Sequence, residues 1–210
     1  MFPLGMVIFP HQVVGLMVFE PRYQQLLADI GDDGVFGSCL ISRGSEVGGG
    51  DQRTMVGTLL ALRGKQTMTT GEQLLRVEGL ECFEIERWLD DAPYPRAVVS
   101  ERCCDQVSVL QELVTATESA VRAVRNLQSE VMVHDGPVHP LVLSDETTER
   151  VWQLCAQTPM STLDQFSVLS KSDPNDRLRL VLEICCERYG DFERMLNEGR
   201  TERDDLTDLE

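Results

Sequence analysis

Phe2-Pro3-Leu4-Gly5-Met6-Val7-Ile8-Phe9-Pro10, continued by Val18-Phe19-Glu20-Pro21-Arg22-Tyr23, is the stretch whose reading decides the fold. Two short apolar runs are each bounded by proline. Proline fixes φ near −65° and has no N–H to lose, which suits strand ends and first helical positions. The stretch therefore reads as a strand, a turn at Pro10-His11-Gln12, a second strand, and a short helix from Pro21 to about Ile30. Gly31 supplies the C-terminal stop for that helix.

Short β-type runs follow. Val35 to Ser42 comes after turn signals at Gly31-Asp32-Asp33-Gly34, and Met55 to Leu62 comes after a glycine-rich loop containing Gly44, Gly48, Gly49 and Gly50. A polar turn is expected through Gly64 to Gly71, then two strands, Gln73 to Val77 and Cys82 to Trp88. In the latter Phe83, Ile85 and Arg87 alternate with Glu84 and Glu86, the period of a half-buried strand. Tyr94 to Ser100, with Pro93 and Pro95 at its edge, completes the set. Six or seven strands and one early helix predict a closed or nearly closed β structure.

After Cys104 the period changes. Val107, Leu110, Val114, Val121, Val124 and Val131 fall at spacings of three and four, which predicts a long amphipathic helix over about 105–132. The loop from His134 to Pro140 ends it. Further helices are expected after Ser144 as N-cap, after Ser161 with Asp164 placed for a capping box, and after Asp173 with Pro174 at the first position. The chain thus divides into a β-rich part over 1–104, a helical part over 105–197, and an acidic tail over 198–210 expected to be disordered. The fold class is α+β.

Pro3-Leu4, Val7-Ile8-Phe9-Pro10 and Phe19-Glu20-Pro21-Arg22-Tyr23 together resemble the opening signature of the Lon protease N-terminal, substrate-binding domain. The resemblance continues at Phe36-Gly37, Val56-Gly57-Thr58, Val77 to Ile85 and Pro93 to Ala97, covering about the first hundred residues. A looser match runs through Leu143-Ser144-Asp145, Phe166 to Leu169 and Asp173 with Arg177-Leu178. It implies a PUA-like β pseudo-barrel followed by a helical bundle. It also implies a polypeptide-binding role in protein quality control or as an adaptor, with unfolded or damaged polypeptides as partners. An ATP-dependent protease is a candidate partner, and self-association is a family trait. Phe9, Pro10, Phe19, Glu20, Pro21, Arg22 and Tyr23 are the signature residues, either structural or partner-binding. The implied mode is capture of apolar client segments on a shallow apolar surface, with the junction of the barrel and helical parts as a candidate place.

The catalytic parts of a full Lon protease cannot be assembled from this chain. A phosphate-binding loop needs G-x-x-x-x-G-K-[ST]. The only Gly-Lys pair, Gly64-Lys65, is followed by Gln66 and lacks a glycine five positions earlier. Lysine occurs only at 65 and 171, and Ser170 beside Lys171 would diverge from it on a regular helix, so no serine–lysine dyad is expected. His134 and His139 with Cys103 or Cys104 lack the close ligand pairs of a zinc site. His11 reads as a turn residue, and Trp88 and Trp152 as packing residues. No metal, cofactor or enzymatic activity is expected. A hydrolase with an unrecognised site is the alternative, and RNA binding by analogy with PUA-like barrels a further one.

Composition narrows these readings. The net charge is −16, spread along the chain, and no cluster of Lys and Arg suited to phosphates occurs, so nucleic acid is not an expected partner. The seven cysteines, at 39, 82, 103, 104, 155, 185 and 186, include no C-x-x-C, and most of them read as reduced, buried residues. Cys103-Cys104 and Cys185-Cys186 are neighbours, and a vicinal disulfide there is the lesser reading. No apolar run approaches the ~20 residues needed to cross a bilayer, and no basic region precedes the first apolar run. A cytoplasmic protein is the default expectation.

Overall fold

The computed structural model describes residues 1–44, 50–102, 107–131 and 140–207, with side chains to residue 198. The first part forms β1 (Phe2–Leu4), β2 (Val13–Val18), α1 (Pro21–Ile30), β3 (Val35–Arg43), β4 (Gln52–Thr67), β5 (Gln73–Trp88) and β6 (Ala97–Glu101). These strands make one curled sheet in the order β1-β3-β4-β5-β2, with β6 also paired to β5. β1 runs parallel to β3 and every other pairing is antiparallel.

The two strands expected at Gln73 to Val77 and Cys82 to Trp88 are one strand of 16 residues with two partners in succession. Its first half pairs with β2 and its second with β6. Gly79 marks the changeover. A Cβ there would stand 2.2 Å from the carbonyl oxygen of Phe9, so only glycine admits the crossing chain. The crossing is fastened by the His11 N–H donating to the Gly79 carbonyl at 2.8 Å and the Gly79 N–H donating to the Gln12 carbonyl at 2.9 Å. The polar turn is narrower than expected, because β4 and β5 stay paired out to Thr67 and Gln73.

Helix α1 has the expected bounds. Pro21 opens it, and the Gly31 N–H, at φ 73°, closes it on the Leu27 carbonyl. Tyr23, Leu26 and Leu27 turn into the barrel core against Phe2, Leu4, Ile8, Leu16, Val18, Leu60, Leu75 and Val77. The rings of Phe2 and Tyr23 lie 4.2 Å apart between centroids.

The helical part comprises α2 (Gln111–Val131), α3 (Thr147–Gln157), α4 (Thr162–Leu169) and α5 (Pro174–Thr207). α2 begins later than its apolar period suggests. The Asn175 side chain accepts from the Leu110 N–H at 2.9 Å and donates to the Ser108 carbonyl at 3.0 Å, pinning the lead-in to the start of α5. Ser144 does not cap α3. Glu146 does, its two carboxylate oxygens accepting from the Thr148 and Glu149 N–H groups at 3.0 and 2.6 Å, while Ser144 Oγ accepts from Glu146 N–H. A carboxylate offers two acceptors and a charge suited to the positive helix end. The capping box of Ser161 and Asp164 forms, and Asp173 Oδ1 accepts from Asn175 N–H just beyond Pro174.

Residues 198–207, expected as part of a disordered tail, are instead the last turns of α5. Leu, Glu and Arg have good helix propensity, and extending an already docked helix avoids the cost of nucleation. Gly48, Gly49, Cys103, Cys104, His134 and His139 lie outside the described residues.

The junction of the two parts is a continuous core. Val7, Phe9, Leu40 and Cys82 from the barrel pack with Val114, Val121, Val124, Trp152, Leu154, Val168, Leu178 and Val181 from the helices. Arg102 ties the parts together by donating to the Leu169 and Ser170 carbonyls. Arg177 is buried, its guanidinium 3.6 Å above the Trp152 ring and donating to the Lys171 carbonyl. The junction is therefore filled with packed apolar side chains.

Candidate functional site

The sheet leaves an opening between its two ends, β1 and β2, which are not paired with each other. A slot of about 260 Å³ occupies that opening. One wall carries Phe2, Leu4 and Met6, the other runs from Gly15 to Glu20, and Tyr23 of α1 contributes to the lining. The local cause is the alternation of β2, which buries Leu16 and Val18 and turns Met17 outward. Phe19 is 50% exposed, Met17 44% and Met6 37%. Leu74, directly across from Met17 on β5, is also exposed and widens the apolar strip.

Ionisable groups in the lining are Glu20 and Tyr23. The Glu20 carboxylate accepts from Arg22 Nε at 3.0 Å, and the Arg22 guanidinium lies 4.5 Å from the centre of the Tyr23 ring. Burial pushes the Tyr23 hydroxyl up to about 12, so it stays protonated at neutral pH. The chemistry the slot offers is apolar contact from flexible, polarizable methionines and an aromatic ring, a combination that adapts to varied ligand shapes.

The seven signature residues separate by position. Phe19, Glu20 and Tyr23 line the slot, Arg22 holds Glu20 from its rim, and Pro21 starts α1. Phe9 and Pro10 are buried away from it, with the Phe9 ring 6.1 Å from that of Trp152 in the junction core. Sequence reasoning missed Met6, Gly15 and Met17. For Gly15 and Met17 the available signal was a strand, Val-Val-Gly-Leu-Met-Val, with no charge and no proline.

The remaining candidates have structural settings. Lys65 lies in β4 and pairs with Asp32 at 2.6 Å, so Gly64-Lys65 is no phosphate loop. Ser170 is the C-terminal cap of α4. His11, at φ 60°, is an exposed turn residue. Trp88 carries Arg53 over its ring at 4.8 Å, and Arg53 pairs with Asp51 and Asp91. Cys185 and Cys186 are free thiols, the first buried and the second exposed. Burial pushes the thiols of Cys39 and Cys155 up to about 12. Among the described residues no three His, Cys, Asp or Glu side chains stand together as a metal site, and no helix is long and apolar enough to cross a membrane.

Comparison with solved structures finds this fold in Lon N-terminal domains. A crystal structure of a Lon N-terminal domain protein from Xanthomonas campestris aligns with a TM-score of 0.60 at 24% identity, over 87% of this chain and 95% of that one. The N-terminal domain of the Mycobacterium avium complex Lon protease aligns with a TM-score of 0.59 at 14% identity, over 88% and 96%. No curated protein matches the chain by sequence. The family model described as the ATP-dependent protease La (LON) substrate-binding domain matches residues 1–187, and the chain belongs to that family.

Proposed function

We propose that this protein is a non-catalytic polypeptide-binding module that takes up apolar segments of unfolded or damaged proteins, in protein quality control or as an adaptor. The observation that carries the reading is the open apolar slot between β1 and β2, with Met6, Met17 and Phe19 exposed at its mouth. Exposed apolar residues gathered on a concave surface mark interaction sites, and methionine-rich surfaces accept many sequences. Membership of a substrate-binding domain family supports the same reading.

The test is fluorescence anisotropy of a labelled, permanently unfolded polypeptide titrated with the purified protein, with a folded protein as control. Saturable binding of the unfolded form alone is expected, and Phe19→Ala weakens it. Absence of binding up to high micromolar concentration would overturn the reading.

A further inference from the structure

We propose that β2 is a strand-addition site, on which an extended, apolar and net-basic client segment docks as a further strand within the slot. This rests on the polypeptide-binding reading above and specifies how the segment is held. β2 ends the sheet order and, among the described residues, pairs only with β5. The phase of its ladder follows from the Gly79 N–H donating to the Gln12 carbonyl and from the register Val14↔Val77, Leu16↔Leu75, Val18↔Gln73. Antiparallel residues exchange both bonds at every second position, so Val14, Leu16 and Val18 face β5. The N–H and C=O groups of Val13, Gly15 and Met17 consequently point away from β5, toward the opening.

The composition of this edge fits a docking role. Unused sheet edges are normally blunted by proline, charge or a bulge. β1, at the opposite end, has Pro3 at its centre, and β6 follows Pro95 and ends in Glu101. β2 has no proline, no charge and no register shift. Gly15 sits in mid-strand without positive φ, and a Cβ there would meet only the Leu75 carbonyl at 3.9 Å. Among the described residues nothing in the packing requires glycine at that point. A bare backbone in a strand interior suits the close approach of another backbone. The far wall, Phe2, Leu4 and Met6, then receives the side chains of the added strand.

Charge selects the occupant. Two copies of a chain carrying −16 each repel, whereas a basic extended segment is attracted and steered. Strand addition of this kind takes affinity from main-chain hydrogen bonds and selectivity from alternate side-chain pockets.

The test uses a fluorescein-labelled extended peptide of alternating valine and phenylalanine with two lysines at each end, titrated with the full chain. Two further peptides carry backbone N-methyl groups on one or the other set of alternate residues, which removes N–H donors and leaves side chains and charge in place. One methylated peptide is expected to bind roughly tenfold more weakly and the other nearly as well as the parent, the loss of a few ladder bonds. Met17→Lys, which guards the edge, is expected to weaken the parent peptide to a similar degree without changing Tm. Equal binding of all three peptides would overturn strand addition while leaving polypeptide binding intact. Failure of the parent peptide and of the unfolded polypeptide together would overturn both. Preference for a glutamate-flanked peptide, or dimerisation of the protein through β2 in sedimentation experiments, would overturn the assigned occupant.

Discussion

Phe9 and Phe19 stand ten positions apart and meet opposite surroundings, 1% and 50% exposed. Removing the Phe9 ring leaves a hole between Val7, Leu40 and the helical core, and Phe9→Ala is expected to cost about 3–5 kcal/mol. Urea unfolding reads this as a lowered midpoint with an unchanged slope. Phe19→Ala is expected to leave stability within about 0.5 kcal/mol and to weaken client binding instead. A second residue-scale expectation concerns thiols. Among the described cysteines only Cys186 is exposed, so N-ethylmaleimide at neutral pH should label it before Cys39, Cys82, Cys155 and Cys185. Cys39, Cys155 and Cys185, whose thiols burial pushes up to about 12, 12 and 11, should react only after denaturant is added, as mass mapping can follow. The fate of each phenylalanine was not legible in the sequence, where both follow short apolar runs beside proline. Trp152, which covers Phe9, lies more than a hundred positions away, and local pattern carries no such information.

Caps and crossings decide the elements. The Glu146 carboxylate is held below its ordinary value of 4.5 by the Glu149 and Thr148 N–H groups. A carboxylate with a lowered folded pKa contributes stability above its unfolded value and loses it as pH falls through the folded one. Glu146→Gln is therefore expected to destabilise by about 1 kcal/mol or less at neutral pH, and the gap from the parent should close as the pH drops below 4.5. Thermal denaturation of both proteins across that range measures it. Pro21, Ser161 and Pro174 were readable as helix starts because each acts on its own neighbours. The late start of α2 was not readable, since it depends on Asn175 arriving from α5. Likewise β5 could not be joined across Gly79 until the chain at Phe9 was seen to cross it.

Across the molecule, one apolar cluster contains residues from the sheet and all four later helices. Such sharing predicts a single cooperative transition. Trp152 fluorescence and far-UV circular dichroism should therefore give coincident curves, and two separate transitions would mean that the halves fold independently. The α+β class and the change from strands to helices along the chain followed from period and turn residues, and the barrel with its helical follower from the signature. The slot did not, because it is the absence of a pairing between β1 and β2, strands whose relation is set only when the whole sheet curls.

Gly79 also makes the two halves mechanically answerable to each other. The carbonyl that a Cβ at 79 would strike belongs to Phe9, whose ring reaches Trp152. Any side chain introduced at 79 pushes on main chain rather than on a flexible tip, and its displacement travels along a lever of one residue into the helices. A lesion in the middle of a strand would thus show itself as a loosened bundle.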